Sequence, residues 1–99
     1  VVVLMQANPW NSPTSRYFAF RELLSALARQ AREFDGEVLL VHGDTHRYRV
    51  DRPLRDPASG TLLANFMRVE VFGYPTMNWV RIRVAERDGR VRFSVDPGS

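Results

Sequence analysis

The sequence predicts an α/β domain with α+β character, a βαβ unit followed by an antiparallel meander. Three observations carry this. Two unbroken apolar runs, residues 1–5 and 38–41, flank a stretch of helical periodicity. From Arg47 onward the pattern changes to period-two alternation, as strands with two unlike faces require. Asp88-Gly89 then stands between two alternating stretches, a strong hairpin signal.

Taken in order, residues 1–5 read as a strand buried on both faces, being continuous, apolar and β-branched. Asn8-Pro9 breaks it with a turn, and residues 11–15 are loop, with Ser15 a candidate helix cap. Phe20, Leu23, Leu24, Leu27, Ala31 and Phe34 fall on one helical face; Arg21, Glu22, Ser25, Arg29, Arg32 and Glu33 fall on the other. Arg29 and Arg32 suit the helix C-terminus, and Gly36 is expected to take a left-handed cap. Residues 38–41 form the second buried strand, parallel to the first.

The second half is expected to be an antiparallel meander. Residues 47–50 form a half-exposed strand, and residues 51–60 a loop containing Pro53, Pro57 and Gly60. Residues 61–64 form a short strand. Residues 66–72 place Met67, Val69 and Val71 on one side and Arg68 and Glu70 on the other. Residues 79–85 turn Val80, Ile82 and Val84 inward, and Val91, Phe93 and Val95 pair back.

The 99 residues suffice for one small domain or part of a larger one, and 44% hydrophobic content supports a core. All basic residues are arginine, and the net charge of +3 permits an anionic partner without demanding one. The chain has no cysteine, which excludes disulfide scaffolds and thiolate zinc sites and leaves the compartment open. No apolar run approaches the roughly 20 residues that span a bilayer. The chain opens on valine, inside what reads as a strand; its true amino terminus, with any targeting signal, is expected upstream.

The chemistry gathers at His42-Gly43-Asp44-Thr45-His46, just past the second strand, where open α/β sheets place their sites. Imidazole and carboxylate are ligands for zinc, iron and manganese, and Gly43 is expected to let the backbone turn sharply. Histidine and aspartate are also ordinary loop residues, so the residue types alone leave a metal-free loop open. Arg49, Arg68, Arg81, Arg83 and Arg92 alternate with apolar residues, as on a solvated sheet face. The sharper reading is a basic face for nucleic acid, with Tyr48, Phe66, Phe72, Tyr74 and Trp79 stacking on bases, but most of these aromatics suit the core better. Trp10 and Trp79 read as packing residues.

The run Val38-Leu39-Leu40-Val41-His42-Gly43-Asp44-Thr45-His46 resembles the last metal motif, Gly-His-x-His, of the calcineurin-like metallophosphoesterases. The run from Val1 to Pro9 resembles the preceding motif, in which a strand ends in His-x-x-Pro. The resemblance covers nearly the whole chain, as the carboxyl-terminal part of that family's β-sandwich domain. It implies two divalent metal ions in the full domain (manganese, iron, zinc or magnesium) and hydrolysis of a phosphate ester by a metal-activated hydroxide. It makes His46 a metal ligand. Asp44 stands where the family has the other histidine, and Gln6 where the earlier motif has one. His42 has no family role and would orient a ligand from behind; Arg47 would reach a phosphate. The family's earlier motifs, among them Gly-Asp-x-x-Asp and Gly-Asn-His, are expected upstream of Val1. The 99-residue chain alone is accordingly expected to be inactive and to need the preceding half of its domain. A non-catalytic anion- or nucleic-acid-binding module, or a family member that has lost a metal, are the alternatives.

Overall fold

The computed structural model describes residues 1–10 and 15–98, with backbone only for residues 15–19. The side chain of Ser15, the candidate helix cap, lies outside the described residues. The elements are β1 (Val2–Leu4), α1 (Ser15–Glu33), β2 (Val38–His42), β3 (Arg49–Asp51), β4 (Phe66–Glu70), β5 (Val80–Arg87) and β6 (Arg90–Pro97). Four strands form a mixed sheet in the order β1-β2-β4-β3, and β5 and β6 form a separate two-stranded antiparallel sheet. None of the described helices is long and apolar enough to cross a membrane.

Strand β2 lies inside the sheet because it is apolar without interruption. Val38, Leu39, Leu40 and His42 are all buried. It pairs in parallel with β1 on one side and with β4 on the other. The strand–helix–strand unit therefore forms as the sequence indicates. The meander does not. Strand β4 runs parallel to β2 with His42 opposite Glu70, and only the β3–β4 and β5–β6 pairs are antiparallel. Strand β3, antiparallel to β4 and at the sheet edge, carries the chain back to the end where β2 begins, and after a long connection β4 enters from there parallel to β2.

That connection is ordered. Leu54 and Leu63 are buried and joined by a backbone hydrogen bond, and Arg55 bridges to Leu62. The short strand expected over residues 61–64 is thus a single bridge. Gly60, at φ 74°, supplies the left-handed turn, and Arg32 pairs with Asp56 at 3.3 Å.

The register assigns the sheet faces. Val3, Val38, Leu40, His42, Phe66, Arg68 and Glu70 share one face, and its apolar members pack against Ala28, Ala31, Leu24 and Leu27 of α1. The helix start moves forward to Ser15, and Gly36 does not take the left-handed cap expected of it. Instead the Asn65 amide donates to the Ala31 and Gly36 carbonyls at 2.8 and 2.9 Å, occupying acceptors at the helix exit. Strand β1 is also less buried than its sequence implies. It is the edge strand, with Val2 47% and Leu4 75% exposed.

The β5–β6 hairpin turns at Asp88 and Gly89, at φ 54° and 76°, as a two-residue loop of type I′ requires. Arg92 and Arg90 tie it to Glu37 and Asp35. Val80, Ile82, Phe93 and Val95 are half-buried along one face. Val84, expected inside, is exposed, as is Val91, because a two-stranded ribbon covers little near its tip.

Candidate functional site

Three loops leave the sheet side by side at the carboxyl ends of β1, β2 and β4. Backbone hydrogen bonds join them: Gly43 donates to the Gln6 carbonyl and Val71 to the His42 carbonyl, both at 3.0 Å. Within the middle loop, Asp44 and His46 have φ of 80° and 60°. Non-glycine residues avoid this region, and holding them there costs about 1–3 kcal/mol each. The sharp turn therefore falls on Asp44 and His46 themselves, and Gly43, expected to provide it, has no left-handed φ. Surrounding contacts have to offset that strain.

One set of such contacts comes from a buried polar cluster on the helix-covered sheet face. Glu70 is fully buried. Its Oε1 accepts from Arg49 Nε and Nη2 at 3.0 and 2.9 Å, and its Oε2 accepts from the Thr45 hydroxyl. Arg47 Nε stands 3.7 Å from Oε1. Burial by itself would raise the Glu70 carboxyl, but the Thr45 and Arg49 hydrogen bonds and the Arg49 charge outweigh it and hold it below the usual range. Thr45 Oγ1 also accepts from Asn8 Nδ2 at 3.1 Å, and Asn8 Oδ1 accepts from the Trp10 backbone at 3.0 Å. A continuous chain thus runs from the loop after β1, through Thr45, to the charge on β4.

Arg68, 3% exposed, makes the second half of the cluster. It grips Asp51 with Nε and Nη2 at 2.6 and 2.8 Å, and its guanidinium lies 4.4 Å from the Trp10 ring centre. Its Nη1 reaches His42 Nε2 at 3.2 Å. Arginine can only donate, so Nε2 accepts. His42 Nδ1 meets the Gly43 carbonyl at 2.9 Å and therefore donates. His42 is the neutral Nδ1–H tautomer with both nitrogens committed, and burial lowers its pKa from the ordinary histidine value. Arg68 and Glu70 are consequently not on a solvated face. They are buried with partners, which reverses the expectation from alternation.

His46 contrasts with His42. It is exposed, and its Nδ1 lies 2.9 Å from the Tyr74 carbonyl, to which it must donate. That tautomer leaves Nε2 as the basic nitrogen, and among the described residues Nε2 has no hydrogen-bond partner. Asp44 is exposed, and its Oδ2 accepts from the Asn8 backbone N–H at 3.3 Å. Gln6 is exposed on the adjoining loop, and Arg47 is 62% exposed beyond His46. Among the described residues, no three His, Cys, Asp or Glu side chains are grouped so as to hold a metal ion. Asp44 and His46 are one carboxylate and one imidazole exposed on a single loop.

Asn8, Thr45 and Glu70 escaped the sequence reading as site residues, and Arg49 and Arg68 entered it only as members of an alternating basic face. Asn8 was legible only as the start of a turn, and Thr45 only as the variable position between Asp44 and His46. The available signal was Arg68 and Glu70 facing the same way as Leu40 and His42, which becomes visible once β4 is registered against β2. Of the aromatics, Phe66 is buried and Tyr48 stacks on Phe72 at 5.1 Å, while Tyr74 and Trp79 are exposed. No family model, curated protein or solved structure matches the chain.

Proposed function

We propose that this chain is the carboxyl-terminal part of a metal-dependent phosphoesterase domain, in which His46 Nε2 and Asp44 donate to a divalent metal ion. One observation carries the reading. The His46 imidazole is held by a backbone carbonyl at Nδ1, so its free nitrogen is Nε2, and it projects from a strained loop that also bears an exposed carboxylate. Metal-binding histidines almost always donate their second nitrogen to a carbonyl or carboxylate in this way. The loop's position at the carboxyl ends of parallel strands supports the same reading. Gln6, joined through its backbone to Gly43, is a weaker oxygen donor to the same centre. Arg47 is placed to meet a phosphate oxygen, and His42 supports the loop from beneath. The remaining ligands come from the preceding part of the domain, so the 99 residues alone do not hydrolyse substrate.

The test uses the full-length gene product, stripped of metal and supplied with Mn²⁺, with bis(p-nitrophenyl) phosphate as substrate. His46→Ala is expected to lower kcat/KM by at least about 100-fold, a loss of about 2.7 kcal/mol of transition-state stabilisation. Hydrolysis by His46→Ala within a few-fold of wild type, or unaffected by chelation of metal, overturns the proposal. In that case an anion-binding module is the better reading.

A further inference from the structure

The His46 ring rests on a glycine. A Cβ added at Gly73 would come within 2.6 Å of His46 Cδ2 and 2.8 Å of Cγ, and within 3.2 Å of its Cα. Contacts that short do not occur, so the ring occupies the space that any side chain at residue 73 would take. The backbone gives no other reason for glycine there, since Gly73 lacks the left-handed φ seen at Gly60 and Gly89. The next residue, Tyr74, supplies the carbonyl that accepts from His46 Nδ1, and Thr76 N–H donates to the Gly73 carbonyl at 2.9 Å and closes the turn. Consecutive residues of the loop after β4 therefore hold one edge of the ring and one nitrogen.

We infer that Gly73 is a positioning residue, its bare α-carbon admitting the His46 ring to the Tyr74 carbonyl so that Nε2 is presented to a divalent cation. The identity of what Nε2 meets rests on the phosphoesterase reading; the seat itself does not. A methyl group at residue 73 displaces the ring or the loop, breaks the bond to Tyr74 and frees the tautomer. The single N–H proton of the neutral ring can then sit on Nε2, the nitrogen that must donate its electron pair to the metal.

The test is Gly73→Ala in the full-length protein, with and without His46→Ala. MnCl₂ titration is expected to show affinity weakened at least about tenfold in Gly73→Ala, the range seen when a histidine ligand loses its supporting partner. Long-range ¹⁵N–¹H NMR of the metal-free protein is expected to show His46 as the Nδ1–H form in wild type and as a mixture in Gly73→Ala. A stability loss that leaves the His46–Tyr74 bond in place would not change that tautomer. Gly73→Ala should lower Tm clearly more in the wild-type background than in the His46→Ala background, where the ring is gone and only the tight approach to the residue 46 backbone remains. Failure of the single variant to fold together with folding of the double variant supports the seat equally. An unchanged tautomer, or an equal Tm loss or failure to fold in both backgrounds, overturns it. If His46→Ala leaves Mn²⁺ binding unaltered while the tautomer and Tm coupling behave as stated, the metal reading fails and the seat stands.

Discussion

Replacing Thr45 by valine tests whether the strained loop is held by the buried charge on β4. Valine keeps the β-branched shape and puts a methyl group, which can neither donate nor accept, in place of the hydroxyl. That hydroxyl donates to Glu70 and accepts from Asn8 Nδ2 at 3.1 Å. A hydrogen bond to a charged group contributes about 1.5–3 kcal/mol, and an orphaned buried donor costs about 1–3 kcal/mol. Glu70 is fully buried and Asn8 only 2% exposed, so water cannot easily replace either partner. Glu70 keeps its Arg49 bonds, which holds the loss below the sum of the two terms. A loss of about 3 kcal/mol follows, or roughly 12–24 °C in Tm for a domain of this size. Thermal unfolding followed by circular dichroism measures it, with Thr45→Ser as the control. Serine retains the hydroxyl and should recover most of the loss. Thr45→Val melting within about 2 °C of wild type, or Thr45→Ser melting as low as Thr45→Val, would refute the reasoning.

Three further outcomes are expected. Arg68→Ala leaves buried His42 Nε2 without its donor and Asp51 without its partner; urea unfolding should show about 3 kcal/mol lost, with replacement of Arg68 and Asp51 together by leucine recovering part of it. Because Glu70 and Asp56 are held below the usual carboxylate range, the first by Thr45 and Arg49 against the effect of burial and the second chiefly by the Ala58 backbone N–H, their contribution is complete above the unfolded values near ~4 and is lost as pH falls through the lower folded ones. Buried His42, held below the ordinary histidine value, adds a loss that begins as pH falls below about 6.5. Tm should therefore be highest near about pH 7, decline gradually below about pH 6.5 and drop further below about pH 4, and a Tm unchanged down to about pH 3 would count against these assignments. Gly89→Ala should cost about 1 kcal/mol because Gly89 sits at φ 76°, whereas Gly36→Ala should be near neutral or stabilising by up to about 0.5 kcal/mol. At Gly36 the nearest atoms the added methyl meets all belong to the Phe34 ring, which is 42% exposed, so a large loss in chemical denaturation of Gly36→Ala would contradict this.

Local chemistry was legible without coordinates wherever the determining atoms are close in sequence. Asp88-Gly89 made a hairpin because the turn's left-handed conformations are set by those two residues. The strand–helix–strand unit followed from two apolar runs and one helical face, and the loop after β2 was marked by its histidines and carboxylate. Alternation along β4 was equally visible, but it states only that two faces differ. It does not say which strand pairs with β4, in which direction, or which face is covered.

The tertiary structure decided those matters, because they depend on partners far along the chain. Parallel pairing with β2 buried Arg68 and Glu70, and their charges were then satisfied by Asp51, Arg49 and Thr45. Two histidines four residues apart, alike in sequence, became opposites: His42 has both nitrogens committed beneath the loop, and His46 has one held by Tyr74 and one left basic. The sequence by itself determined that imidazole and carboxylate would stand at the end of β2. Which imidazole is available, and the glycine that admits it, were decided by β4 arriving alongside, since a hydrogen-bond partner or a steric seat exists only once the chain has brought it there.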